Sequence, residues 1–155
     1  MADINIRPLT AEDESVWRPL WQAYLAFYET TLPEEIYRSS FDRMLAGNAG
    51  APNEFRGMIA KVDGKPVGLV HYHFHRHGWK IENVCYLQDL YVDPSVRGTG
   101  LGRALIEAVY DAADKEGSPA VYWLTQEFNT TARQLYDRIA VLSPFVKYDR
   151  PNHDV

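Results

Sequence analysis

Residues 87–113 read LQDLYVDPSVRGTGLGRALIEAVYDAA, a mostly apolar run from Leu87 to Val92, a turn holding Gly98, Gly100 and Gly102, and a longer run ending at Ala113. The first run stops at Asp93-Pro94, where a residue with a fixed φ and no N–H cannot continue a central ladder. From Leu101 onward, apolar residues return at Leu105, Ala108, Val109 and Ala112, three and four apart, which is helical spacing. The stretch therefore predicts a strand, a glycine-rich turn and an amphipathic helix. A helix opens with unpaired N–H groups and the positive end of its dipole, and glycines let an anion come close to them. The turn thus has the makings of a phosphate cradle, although a turn that only links strand to helix would show the same spacing.

Two common phosphate loops do not fit. The dinucleotide fingerprint G-x-G-x-x-G needs a sixth-place glycine, but counting from Gly98 that place is Arg103 and from Gly100 it is Leu105. The nucleoside triphosphate loop needs G-K-[ST], and none follows Gly102. What remains, Arg97-x-x-Gly100-x-Gly102 between an apolar strand and a long helix, resembles the acetyl-CoA pyrophosphate loop of the GNAT N-acetyltransferases. Farther along, Asn129-Thr-Thr-Ala132-Arg-Gln-Leu135-Tyr136 follows an apolar stretch, Ala120 to Leu124, and resembles the second motif of that family, N-x-x-A-x-x-L-Y. Three stretches, Trp21 to Tyr28, Tyr86 to Val92 and Leu135 to Ala140, are similar to the spermidine/spermine and HPA-type subgroup.

The resemblance implies an α/β (α+β) GNAT fold: a mixed, mostly antiparallel sheet splayed at its central strand, with helices on both faces. It implies acetyl transfer from acetyl-CoA to a primary amine of a polyamine, amino acid or basic peptide, by direct attack in a ternary complex. The edge of Leu90, Tyr91 and Val92 would pair with pantetheine and supply an N–H to the oxyanion. The amides of Arg97, Gly98, Thr99, Gly100, Leu101, Gly102 and Arg103 would take the pyrophosphate, with the two arginines adding charge. Asn129 and Tyr136 would meet the cofactor, Tyr136 protonating the departing thiolate. Asn129 is also suited to capping its helix. The relatives associate, so a homodimer is expected, its sheet extended by the apolar segment Val141 to Tyr148.

The chain departs from the polyamine enzymes at one position. Their motif resembles L-E-D-x-x-V, with the glutamate accepting the amine proton through water, and here that residue is Gln88. An amide takes no proton at neutral pH. Either Asp89, Glu82, Glu127 or a cleft histidine relays the proton, or the amine arrives largely neutral, which favours less basic acceptors. The same departure admits a second reading, a CoA-binding regulatory module without catalysis.

Composition bounds these readings. With 155 residues, 46% hydrophobic and 24% charged, the chain suits one globular domain, 1–155. Sixteen basic against twenty-one acidic residues give a net charge of −5, which disfavours nucleic acid as the main partner and mildly favours cationic substrates. Cys85 is the only cysteine, so no intrachain disulfide forms. It could carry an acyl group, but a lone strand cysteine is more plainly a small buried hydrophobe. No apolar run approaches the roughly 20 residues that span a bilayer, and no secretory signal opens the chain, so a cytoplasmic location without membrane contact is expected.

The rest of the chain falls into place in order. Asp3 to Leu9 predicts a first strand. Thr10 to about Glu29 predicts a helix whose stripe of Trp17, Leu20, Trp21, Tyr24, Leu25 and Tyr28 either packs the core or in part lines an acceptor cleft. Pro33 opens a second helix carrying Ile36, Tyr37, Phe41, Met44 and Leu45. Phe55 to Val62 and Pro66 to His75 flank Asp63-Gly64, a hairpin signature. His71, His73, His75 and His77 alternate along the second arm and its extension, predicting a solvated or cleft-facing edge rather than a metal site. Val84 to Val92 is the central strand, Ala120 to Thr125 a further one, and Phe145 to Tyr148 a last one.

Overall fold

The computed structural model describes residues 3–151, and the chain divides after Leu124 into two compact units. The first unit is a five-stranded sheet in sequential order: β1 (Ile4–Pro8), β2 (Arg56–Val62), β3 (Lys65–His75), β4 (Val84–Val92) and β5 (Val121–Tyr122). The first three pairings are antiparallel and the last is parallel. Asp63 and Gly64 turn β2 into β3 with φ of 50° and 80°, the paired positive values that a two-residue hairpin of this hand requires.

Two helices, α1 (Glu14–Phe27) and α2 (Glu34–Asn48), cover one face. Trp17, Leu20, Trp21 and Leu25 of α1 meet Tyr37, Phe41 and Met44 of α2 over Ile59 and Leu69 of the sheet. The other face receives α3 (Leu101–Lys115), which buries Leu101, Leu105, Ile106, Val109 and Ala113. Successive strand residues point to opposite faces, and the register shows it: Leu69 joins the α1 and α2 core, while a Cβ on Gly68 would stand 3.3 Å from Leu105 of α3. The aromatic stripe of α1 therefore divides its work. Its first rings are core, whereas Phe27 is 57% and Tyr28 36% exposed at its end.

The predicted first helix starts later than Thr10. Ala11–Asp13 is a 3₁₀ turn, entered where the Asp13 carboxylate accepts the Thr10 N–H at 2.7 Å and two bonds from Arg7 at 2.7 and 2.9 Å. The Arg7 bonds hold Asp13 well below the usual carboxylate range, at about 2. A depressed carboxylate stabilises the fold above its unfolded pKa and loses that contribution as pH falls through the folded value. Asp13→Asn should therefore cost about 2 kcal/mol at pH 7, allowing for the part-exposed arginine, and nearly nothing near pH 2. Denaturant titrations at the two pH values check this.

The second unit contains α4 (Thr130–Ile139), capped by Asn129, whose side chain accepts the Ala132 N–H at 3.4 Å. Two predicted strands are corrected. Ala120 to Thr125 contracts to the two residues of β5, and Phe145 to Tyr148 forms no strand. Pro144 offers no N–H, and consecutive Phe145 and Val146 break the alternation a one-sided strand needs. These residues stand 81% and 76% exposed instead.

Candidate active site

The short β5 creates an opening in the sheet. Its ladder joins only Cys85 to Val121 and Tyr86 to Tyr122, so from Leu87 to Val92 the outer edge of β4 has no ladder partner among the described residues. Leu90, Tyr91 and Val92 lie half-buried on this free edge, whose N–H and C=O groups suit a strand-like ligand. At the same place β4 bulges. His71 faces Asp89 while Tyr72 faces Leu87, so Gln88 is the extra residue, turned out to solvent.

Beyond Val92 the chain makes a tight turn held by Asp93, whose carboxylate accepts from the Ser95 N–H and hydroxyl at 2.8 and 2.7 Å. Those bonds hold the Asp93 carboxyl below its ordinary range. The Thr99 hydroxyl donates to the Val96 carbonyl at 2.6 Å. Gly98 and Gly100 then take φ of 80° and 87°, the left-handed region that glycine enters freely. Gly100 is the N-cap of α3 and has no side chain to cap it, and the first intrahelical bond runs from the Ala104 N–H to the Gly100 carbonyl. The amides of Leu101, Gly102 and Arg103 are thus left for an external acceptor. A Cβ on Gly98 or Gly100 would meet nothing within 4 Å, so the loop lies open. Arg97 and Arg103 are exposed beside it, and the Arg103 guanidinium meets Glu107 at 2.7 Å. A free strand edge leading into an open, amide-rich helix start fits an extended chain carrying a pyrophosphate.

The acetyltransferase (GNAT) family model matches residues 17–140. The chain belongs to the GNAT acetyltransferase family. It is 36% identical over 149 residues to the D-amino-acid N-acetyltransferase HPA3 of Saccharomyces cerevisiae, covering 95% of this chain and 90% of that one. It is also 36% identical to the thialysine N-epsilon-acetyltransferase of Bos taurus, over 72% of this chain and 69% of that one. An aminoglycoside N-acetyltransferase solved in complex with CoA has the same fold, with a TM-score of 0.81 at 19% identity, covering 99% of this chain and 97% of that one. The protein is a GNAT acetyltransferase, and the reading of a catalytically silent module is set aside.

Within this GNAT enzyme Asp89 and Gln88, neighbours in sequence, have opposite surroundings. Asp89 is 7% exposed and lies 2.7 Å from Nδ1 of His71, itself 2% exposed. Nε2 of His71 lies 3.0 Å from Nε1 of Trp17. Tyr24 of α1 also faces Asp89, and burial together with the Asp89 charge pushes its phenol far up. Of the other candidates for taking a proton, Glu82 is exposed in the turn before β4, and Glu127 belongs to the second unit with Asn129 and Tyr136.

The histidine row does not form one edge. His71 is core, His77 lies past the end of β3, and only His73 and His75 remain side by side, 5.6 Å apart. His75 Nε2 is 2.7 Å from the Tyr122 hydroxyl, and burial with the nearness of His75 holds His73 below its ordinary value. What separates them is cover: Trp17 and Trp21 of α1 pack on His71, whereas His73 lies against His75 and Tyr86. Cys85 is fully buried and its thiol is pushed up to about 12 by that burial, so it is the small hydrophobe expected and not a nucleophile. Sequence reasoning singled out Asp89 but missed its partners, which stand 18 residues away in His71 and another 54 away in Trp17. Their only trace in the sequence is position: Trp17 on the apolar stripe of α1, His71 among the buried residues of β3.

Proposed function

We propose that this enzyme transfers the acetyl group of acetyl-CoA to the primary amine of a small acceptor, with a free amino acid as the leading class. The observation that carries the reading is the edge of β4, without a ladder partner among the described residues from Leu87 to Val92, running into the start of α3, which no side chain caps. In this reading pantetheine adds to the Leu90 to Val92 edge, and the pyrophosphate is held by the amides of Arg97 to Arg103 and by the Arg97 and Arg103 side chains. Asn129 and Tyr136, which carry the family's second motif, meet the thioester end. The two units act as one catalytic domain, for which the family match across residues 17–140 is the support.

The reaction is a direct attack. The neutral amine nitrogen bonds to the thioester carbon, the carbonyl oxygen becomes an oxyanion facing a β4 N–H, and the C–S bond breaks as the intermediate collapses. The amine's surplus proton goes to Asp89, the buried carboxylate next to the bulge, and the thiolate takes a proton from Tyr136. Exposed Gln88 orients the amine by hydrogen bonding and takes no proton. A site without the glutamate suits an amine that sheds its proton readily, as the α-amine of an amino acid does better than a polyamine. The relative that acts on D-amino acids points the same way, and the thialysine enzyme, named for the ε-nitrogen, also takes an amino acid as acceptor.

A cytoplasmic homodimer is the accompanying proposal. Cys85 makes no disulfide, and Val141, Leu142, Phe145, Val146 and Tyr148 leave apolar surface that a second copy would cover. Among the described residues no helix is long and apolar enough to cross a membrane.

A panel of D- and L-amino acids, thialysine, spermidine, an aminoglycoside and a basic peptide, scored by CoA thiol release, tests the acceptor class. Amino acids are expected to give the highest kcat/KM. A tenfold or greater preference for spermidine would overturn the choice of class.

A further inference from the structure

His71 has both ring nitrogens engaged, and the geometry dictates the direction of each bond. An indole N–H only donates, so Nε2 of His71, 3.0 Å from Trp17 Nε1, must accept. The ring's single proton then sits on Nδ1, which donates to Oδ2 of Asp89 at 2.7 Å. The result is a one-way chain, Trp17 to His71 to Asp89, linking α1 through β3 to β4.

The chain is built into the core. Trp17 is 0% exposed and wedged between Trp21 and Phe41, with ring centroids 5.2 and 5.1 Å away. Trp21 also stands edge-on to His71 at 5.6 Å. Both rings are buried, and the indole donor they hold in place fixes the tautomer. Asp89 is faced by His71 from β3 and by Tyr24 from α1, with Tyr28 behind Tyr24 at 5.1 Å. Each group around the carboxylate donates to it, which orients its oxygens and keeps it an acceptor.

We propose that Trp17 and His71 are positioning residues for acetyl transfer: the indole N–H locks His71 in its Nδ1–H form, so that the imidazole aims Asp89 and cannot take the amine proton itself. This rests on the reading above, in which Asp89 takes that proton as the C–N bond forms. A histidine with a free Nε2 would compete for the proton. The indole removes that possibility.

Imidazole ¹⁵N spectra of the whole wild-type protein at neutral pH test the lock without any substitution. His71 is expected to carry a proton on Nδ1 and none on Nε2, and a proton on Nε2 would overturn the proposal. Trp17→Phe is expected to add an ionisation between pH 5 and 8 to the kcat profile, leaving the KM for acetyl-CoA within about twofold. A profile superimposed on the wild type's would count against the lock. His71→Asn keeps a donor near the Nδ1 position and should retain turnover within about threefold, whereas His71→Leu should lose about tenfold. Equal losses would mark His71 as packing alone. Asp89→Asn separates the two levels: if it turns over like the wild type while wild-type acetyl transfer stands, the transfer reading survives and the positioning proposal falls. Absence of amine-dependent CoA release from the wild type would remove both.

Discussion

A Gly102→Val protein should fold as the wild type does and lose at least about 10³ in affinity for CoA, which is roughly 4 kcal/mol. The position separates ligand space from backbone strain. Gly98 and Gly100 hold φ of 80° and 87°, so any side chain there strains the loop before a ligand arrives. Gly102 lies within α3 and is not among the glycines with positive φ. Valine is a slightly better helix former than glycine, so the first turn of α3 is not weakened. What changes is the surface of the helix start, where a branched side chain stands over the amides of Leu101 to Arg103. Calorimetric titration with CoA, beside a thermal melt, measures both quantities. Unchanged affinity in a folded Gly102→Val protein would move the pyrophosphate elsewhere.

Tyr136→Phe should leave CoA affinity within a few-fold and lower kcat by roughly 10² or more. On α4 the apolar residues Ala132, Leu135, Tyr136 and Ile139 recur at helical spacing, which suits a ring at this position. The hydroxyl is the part that the motif N-x-x-A-x-x-L-Y singles out. A phenol placed beside the sulfur can give its proton to the thiolate as the intermediate collapses, and proton transfer from a positioned group is typically worth a factor of about 10² to 10⁴. The loss belongs in kcat because the phenol acts on a charge that appears only after attack. Stopped-flow CoA binding and steady-state rates on the same preparation test it. Wild-type turnover in Tyr136→Phe would leave thiolate protonation to water or another group.

The parts legible in the sequence were those encoded by neighbours. Asp63-Gly64 between alternating runs marks a hairpin, Asp93-Pro94 ends a strand, and the glycines before Leu101 mark the start of α3, because turn chemistry and helical period act over a few residues. The site's inner half was not legible for the complementary reason. The bulge at Gln88 is a relation between β3 and β4 that neither strand encodes alone, and the cover that α1 gives His71 but not His73 is likewise a matter of tertiary packing. The buried link from Trp17 to Asp89 joins α1, β3 and β4, and only tertiary packing brings those residues together. The expected last strand failed because an apolar composition from Val141 to Tyr148 says nothing about an available sheet edge, and Pro144 weakens it further.

The most direct test of acetyl transfer by this site is an initial-rate matrix in acetyl-CoA and an amino acid acceptor, read by CoA thiol release and by mass of the acetylated product. Direct attack in a ternary complex predicts amine-dependent release, one N-acetylated product per CoA, and intersecting double-reciprocal lines. Release without acetylated amine, or parallel lines with an acetyl group trapped on the protein, would contradict it.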